Sequence, residues 1–151
     1  MSATFAFLHH IAAFTLVSAL AVELAFTRSE LTLANARALL VTDAIYGLSA
    51  ATVLTAGLLR VFYFEKGSYY YFHSVPFIAK LSLFIIVGLL SIYPTLQFRS
   101  WRAALKRGAI PVVDPATVRA IRTVIHWEMV GLVALVLCAA LMARGIGYVG
   151  R

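Results

Sequence analysis

Four stretches of this chain are almost continuously apolar, at residues 5–26, 38–61, 76–98 and 124–142, and the charged residues gather between them. Each stretch reaches the roughly 20 residues that a helix needs to cross the hydrocarbon core of a bilayer. Apolar residues follow one another along them instead of alternating with polar ones, which favours helices over barrel strands. The pattern therefore predicts an all-α fold, an integral membrane bundle of four transmembrane helices. The spans use up most of residues 1–151, so the chain reads as a single transmembrane domain.

The connections carry their own signals. The first span ends at Thr27-Arg28-Ser29-Glu30, and a short polar segment with Asn35 and Arg37 leads into the second. So tight a link makes the first two helices antiparallel neighbours. In the second span Gly47, Ala50, Ala51, Thr55, Ala56 and Gly57 supply the small residues that let helix backbones approach in lipid, and they are expected to form its packing spine. Glu65-Lys66 and the run Tyr69-Tyr70-Tyr71 precede Pro76, a residue suited to the first turn of a helix. The three tyrosines are expected to form an interfacial aromatic belt. Pro94 is a candidate kink in the third span, and Trp101 with the neighbouring cations is expected at headgroup level. Asp114-Pro115 offers an N-cap followed by proline at the first helical position, so the fourth helix should start well before its apolar run.

Composition agrees: 62% of the residues are hydrophobic and the mean hydropathy is +0.92. The formal net charge of +7 would suggest nucleic acid in a soluble protein, but here the cations flank spans and report orientation. Arg28, Arg37, Arg99, Arg102, Lys106, Arg107, Arg119 and Arg122 fall on one side, while Arg60, Lys66, Arg144 and Arg151 fall on the other. The positive-inside bias predicts a bacterial inner (cytoplasmic) membrane protein with both termini periplasmic. Ala19-Leu20-Ala21 fits a signal-peptide cleavage pattern, but no basic residue precedes Phe5, and the segment is read as a retained first helix. The single cysteine, Cys138, lies inside the fourth span and reads as a small core residue.

Ionisable side chains in a bilayer are costly, about 2.5–3.5 kcal/mol each at a helix centre, so those present call for a reason. By helix direction and rise they sort into two depths. His9, His10, Arg60 and Lys80, with His73 and the tyrosines above, form an outer group. Glu23, Asp43, Tyr46, Tyr93, His126 and Glu128 form an inner one. A neutral imidazole near a helix end is what a haem b site in a bundle requires, and Arg60 with Lys80 would neutralise carboxylates of such a ligand. His126 lies about 20 Å from His10 in depth and cannot serve the same iron. The inner acids have two readings. They pair with Arg37, Arg122 or His126, or they take up and release protons beside Tyr46 and Tyr93 at a proton or quinone site. At 100° per residue Glu23 lies about 40° from His9 around the first helix and about 140° from His10, so the two histidines do not both face inward.

Leu8-His9-His10-Ile11-Ala12-Ala13, Arg37-Ala38-Leu39-Leu40 with Asp43 and Tyr46-Gly47, and Phe77-Ile78-Ala79-Lys80-Leu81 resemble a family of uncharacterised four-helix bacterial membrane proteins, a domain of unknown function. The resemblance covers nearly the whole chain. More distantly the pattern is similar to the HemJ-type protoporphyrinogen oxidases, haem b enzymes with an essential His in the first span and an essential Lys in a later one. That similarity gives the iron-ligating role to His10 and the lysine role to Lys80. The doubled His9-His10, the tyrosine run and the acidic inner group depart from the oxidase pattern, which bears on the substrate more than on the haem.

The leading expectation is thus a haem b membrane redox protein. His10 would be the metal ligand, His9, Arg60 and Lys80 would complete the cofactor site, and Lys80, Glu23 and Asp43 would be the catalytic candidates. A porphyrin-type substrate and quinone would be its redox partners, and lipid its surroundings. Two other classes compete with it. A small bundle with few soluble residues suits a non-catalytic subunit or assembly factor of a larger membrane complex. Membrane-embedded acids suit a small transporter, although four helices leave little room for a path unless the protein is a homo-oligomer, and no inverted repeat is visible.

Overall fold

In the computed structural model residues 2–64, 67–147 and 149 are described; Glu65, Lys66 and Arg151, which entered the charge and loop arguments, lie outside them. The backbone forms α1 (Ser2–Arg28), α2 (Leu33–Leu59), a π-helical turn (Arg60–Phe64), α3 (Gly67–Phe72), α4 (Val75–Ser100), α5 (Arg102–Lys106) and α6 (Pro115–Ala143). Four of these elements are long and apolar enough to cross a membrane. The protein is an all-α transmembrane bundle, as the apolar pattern predicts.

The helix ends follow their local chemistry. The Thr32 hydroxyl accepts from the Asn35 amide at 3.1 Å and starts α2. Asp114 accepts from the Ala116 amide at 3.3 Å and starts α6, with Pro115 at the first helical position as expected. Pro76 occupies the first turn of α4 behind Ser74. Pro94 sits inside α4 without ending it; lacking an N–H, it leaves the Leu90 carbonyl without its usual intrahelical donor.

Packing pairs α1 with α2 and α4 with α6, and the pairs join through α1–α6 and α2–α4 contacts. Leu16, Leu20, Leu39, Tyr46, Phe98, Ile121 and Ile125 make the main core. Outside it Phe14, Leu48, Leu89 and Val133 are exposed, one on each long helix, as a lipid-facing surface requires. The α1–α2 and α4–α6 connections share one end of the bundle, here the α5 end, where Arg37 Nη2 donates to the Leu105 carbonyl at 3.5 Å and Arg122 Nη2 to the Thr27 carbonyl at 2.6 Å. At the opposite, α3 end the chain after α6 folds back. The Val75 amide donates to the Gly147 carbonyl and the Val149 amide to the His73 carbonyl. Gly147 has φ of 80°, and a Cβ there would stand 2.8 Å from Pro76 Cδ, so both backbone and space call for glycine.

Three local expectations are corrected. The packing face of α2 is Asp43, Tyr46, Ser49, Val53 and Ala56, whereas Gly47, Ala51 and Thr55 are exposed. Residue size alone had grouped them; helical phase separates them, because positions 47, 51 and 55 form a different stripe. Trp101 is buried edge-to-face on Phe98 with ring centroids 5.1 Å apart, because α4 turns into α5 there and folds the indole under the bundle. The tyrosine run is helical, and it divides: Tyr71 is buried while Tyr69 is exposed and stacks on His73 at 4.1 Å. Tyr70 has a described backbone only.

Candidate functional site

Near the α3 end, α1, α2, α3, α4 and α6 leave a small, partly open cleft whose polar lining includes His9, Arg60, Lys80 and Tyr71. Its remaining walls are apolar, among them Val53, Phe77, Phe84 and Met142. Tyr71 and Phe77 stack at 5.2 Å and, with Val61 and Met142, make a small second core behind the cleft. The π-helical turn begins at Arg60, so the ordinary phase of α2 is broken just where Arg60 and Val61 join the lining. Hydropathy gave no sign of that turn.

His9 is seated by two features of α2. Its Nδ1 lies 3.1 Å from the Val53 carbonyl oxygen. A carbonyl only accepts, so Nδ1 carries the proton and Nε2 keeps its lone pair. Gly57 makes room for the ring, since a Cβ there would come within 3.3 Å of His9 Cε1. A histidine oriented by a backbone carbonyl through one nitrogen, with the other bare, is the usual arrangement of a metal-ligating or hydrogen-bond-accepting imidazole.

His10 behaves otherwise. It is exposed, and its Nδ1 lies 2.6 Å from the Ala6 carbonyl of its own helix. The residue assigned to iron by resemblance thus faces away from the cleft, and the one that helical phase places on the Glu23 face lines it. Arg60 and Lys80 lie in the cleft as expected, both half-buried and both engaged by neighbouring groups. His73 is exposed, with Nδ1 on the Tyr69 carbonyl.

Toward the α5 end lies a different constellation, none of whose residues lines that cleft. Glu23, Asp43, Tyr46 and Glu128 are all buried, Glu23 at 2% and Glu128 at 1% exposure. The Tyr46 phenol lies beside the Glu128 carboxyl, and the carboxyls of Glu23, Asp43 and Glu128 act on one another electrostatically. Thr95 donates to Asp43 Oδ1 at 2.5 Å, while Oε1 of Glu23 and Oε1 of Glu128 have no hydrogen-bond partner. The cations expected to pair with these acids are placed elsewhere. Arg122 is on the Thr27 carbonyl, Arg37 on the Leu105 carbonyl, and His126 is exposed beside Trp127. Tyr93 is also exposed, so Tyr46 is the phenol of this cluster.

The candidate residues therefore divide between two places. His9 and Glu23 share a face of α1, but 14 positions separate them along it, about 21 Å of rise. Glu23 and Asp43 do not converge with Lys80 on one reacting centre. Among the described residues no group of three or more His, Cys, Asp or Glu side chains is arranged to hold a metal ion. The sequence missed Met142 and the role of Gly57, although Gly57 was among the small residues singled out in the second span; Tyr71 had been grouped with the outer residues only as one of the tyrosine run.

The family model described as "Predicted membrane protein (DUF2214)" matches residues 1–147, and the chain belongs to this family. No curated protein and no solved structure matches it.

Proposed function

We propose that this member of the family is a haem b-binding redox protein of the bacterial inner membrane, with both termini periplasmic. The observation that carries the reading is the His9 seat: an imidazole whose Nδ1–H is held by Val53, leaving Nε2 as a ligand nitrogen, in a cleft also lined by Arg60 and Lys80. The donor set fits the group. The imidazole of His9 would serve iron, Arg60 and Lys80 would serve two propionate carboxylates, and the apolar walls would face a macrocycle. Met142 brings a thioether to the same lining, a ligand type that accompanies His in electron-transfer haems. Bound there, the haem would supply one-electron chemistry. The protein would bind and orient it through His9, Arg60 and Lys80, and exclude water with Phe77 and Phe84. A porphyrin-type substrate and quinone as electron acceptor are the redox partners this reading takes.

The test is an absorption spectrum of detergent-purified protein, oxidised and dithionite-reduced, beside His9→Ala and His10→Ala. A b-type spectrum kept in His10→Ala and lost in His9→Ala is the expected result. Folded protein that gives no Soret band even after hemin reconstitution, or a band lost with His10→Ala alone, overturns it. Colourless protein that co-purifies with a stable membrane partner would turn the reading to a subunit of a larger complex.

A further inference from the structure

Two buried carboxyl oxygens without partners are an expensive feature to keep in a transmembrane core. A buried polar group without a hydrogen bond costs about 1–3 kcal/mol, and a charged one costs more. Glu23 and Glu128 each carry such an oxygen, on α1 and α6, in residues exposed by only 2% and 1%. From α2 they are faced by Asp43 and Tyr46. On α4 and α5, Thr95, Arg99 and Arg102 act on Asp43. Arg122, on the same helix as Glu128, has its Nη2 on the Thr27 carbonyl one turn beyond Glu23 and its buried Nε without a partner. The charged groups acting on Glu23 are themselves acids.

A ligand for these oxygens must bring positive charge or a donor hydrogen, and it must fit. Neither the cleft near the α3 end nor the open hollow beside Arg102 has Glu23 or Glu128 in its lining. A proton needs no room. Bound to a carboxylate oxygen, it removes the charge and turns that oxygen into a donor for its neighbour.

We infer that Glu23 and Glu128 form a shared proton-binding site inside the bundle, exchanging protons with the arginine-bearing α5 end by way of Asp43 and Thr95. In each exchange a hydronium ion at that end gives up a proton and becomes water, one carboxylate oxygen gains the proton, and the reverse step returns it; no electron moves. Tyr46, beside Glu128, orients the acceptor and is a positioning residue. The α5 end carries Arg99 and Arg102, both exposed, next to the Asp43–Thr95 pair. The inference stands apart from the haem reading, since it uses none of the residues of the cleft.

Infrared difference spectroscopy on the full-length protein in lipid nanodiscs tests it, stepping between acidic and alkaline buffer in a background in which the other two glutamates, Glu30 and Glu65, are changed to Gln. Expected is a protonated-carboxyl stretching band that shifts on glutamate isotope labelling. It should fall by about half when Glu23→Gln or Glu128→Gln is added and disappear when both are, as for two coupled sites. Gln keeps the side-chain shape, and circular dichroism checks the fold. If a further variant does not fold, the labelled spectrum of the background protein decides alone. No glutamate carboxyl band in that background, or a band surviving in the folded protein with all four changes, overturns the proposal. So does a response to sodium ion at constant pH in place of a response to pH, which would make the ligand a metal cation.

Discussion

The two ends of this bundle treat polar side chains in opposite ways. Near the α3 end the polar groups line a space: His9 is anchored to Val53 through one nitrogen, and Arg60, Lys80 and Tyr71 border the same cleft. Toward the α5 end Glu23, Asp43, Tyr46 and Glu128 are buried, none of them lines that cleft, and two carboxyl oxygens are left without partners. The first arrangement suits a ligand with atoms of its own. The second suits a ligand without volume. The contrast teaches that burial of ionisable groups in a membrane does not by itself mark a binding pocket. What distinguishes the two ends is whether helix geometry opens beside the group, as the π-helical turn at Arg60 does, or closes over it.

Substitutions near the α3 end should act on binding and those toward the α5 end on stability. The largest effect is expected at Gly57. Gly57→Leu places a branched side chain where a Cβ alone already meets the His9 ring, so hemin affinity measured by titration should fall by about a hundredfold, roughly 2.7 kcal/mol. Gly47→Ala, with open space around its Cβ, should leave that affinity unchanged. Next is Ile125→Ala, at a fully buried core position. Emptying it should cost roughly 2 kcal/mol of packing in detergent-induced unfolding, without changing hemin affinity. Thr95→Val removes the donor to Asp43 and should cost about 1–2 kcal/mol in the same assay, while Asp43→Asn, which keeps an acceptor for Thr95, should cost less. The smallest is Asp114→Ala, which removes the cap of α6 and should cost about 1 kcal/mol. A hemin affinity that follows Ile125→Ala or Thr95→Val, with the fold intact, would break the division between the two ends.

Much of the architecture was legible in the chain. Helix caps and proline positions are local, so Asp114-Pro115 and Pro76 could be read directly. Candidate chemistry was legible as residue type and depth, since both follow from span boundaries and rise per residue. Partnership was not. Arg122 lies within one helix turn of His126 and two of Glu128, yet its Nη2 reaches across to the Thr27 carbonyl on α1. The histidine pair shows the margin: resemblance singled out His10, helical phase grouped His9 with Glu23, and the structure lines the cleft with His9.

The sequence by itself determined that this protein is a four-span helical membrane bundle whose first two helices are antiparallel neighbours. It also set the end at which the arginines gather. These follow from the length of apolar runs, the shortness of links and the placement of charge, which are one-dimensional quantities. Only the tertiary structure decided that His9 faces the cleft, that Trp101 and Tyr71 are buried, that the small residues of α2 split between two faces, and that Glu23 and Glu128 keep oxygens without partners. Each of these depends on how a helix is rotated about its axis against its neighbours. In a span apolar on all sides that rotation leaves almost no trace in hydropathy, because lipid and protein interior are equally apolar, and it is set by side-chain packing across helices.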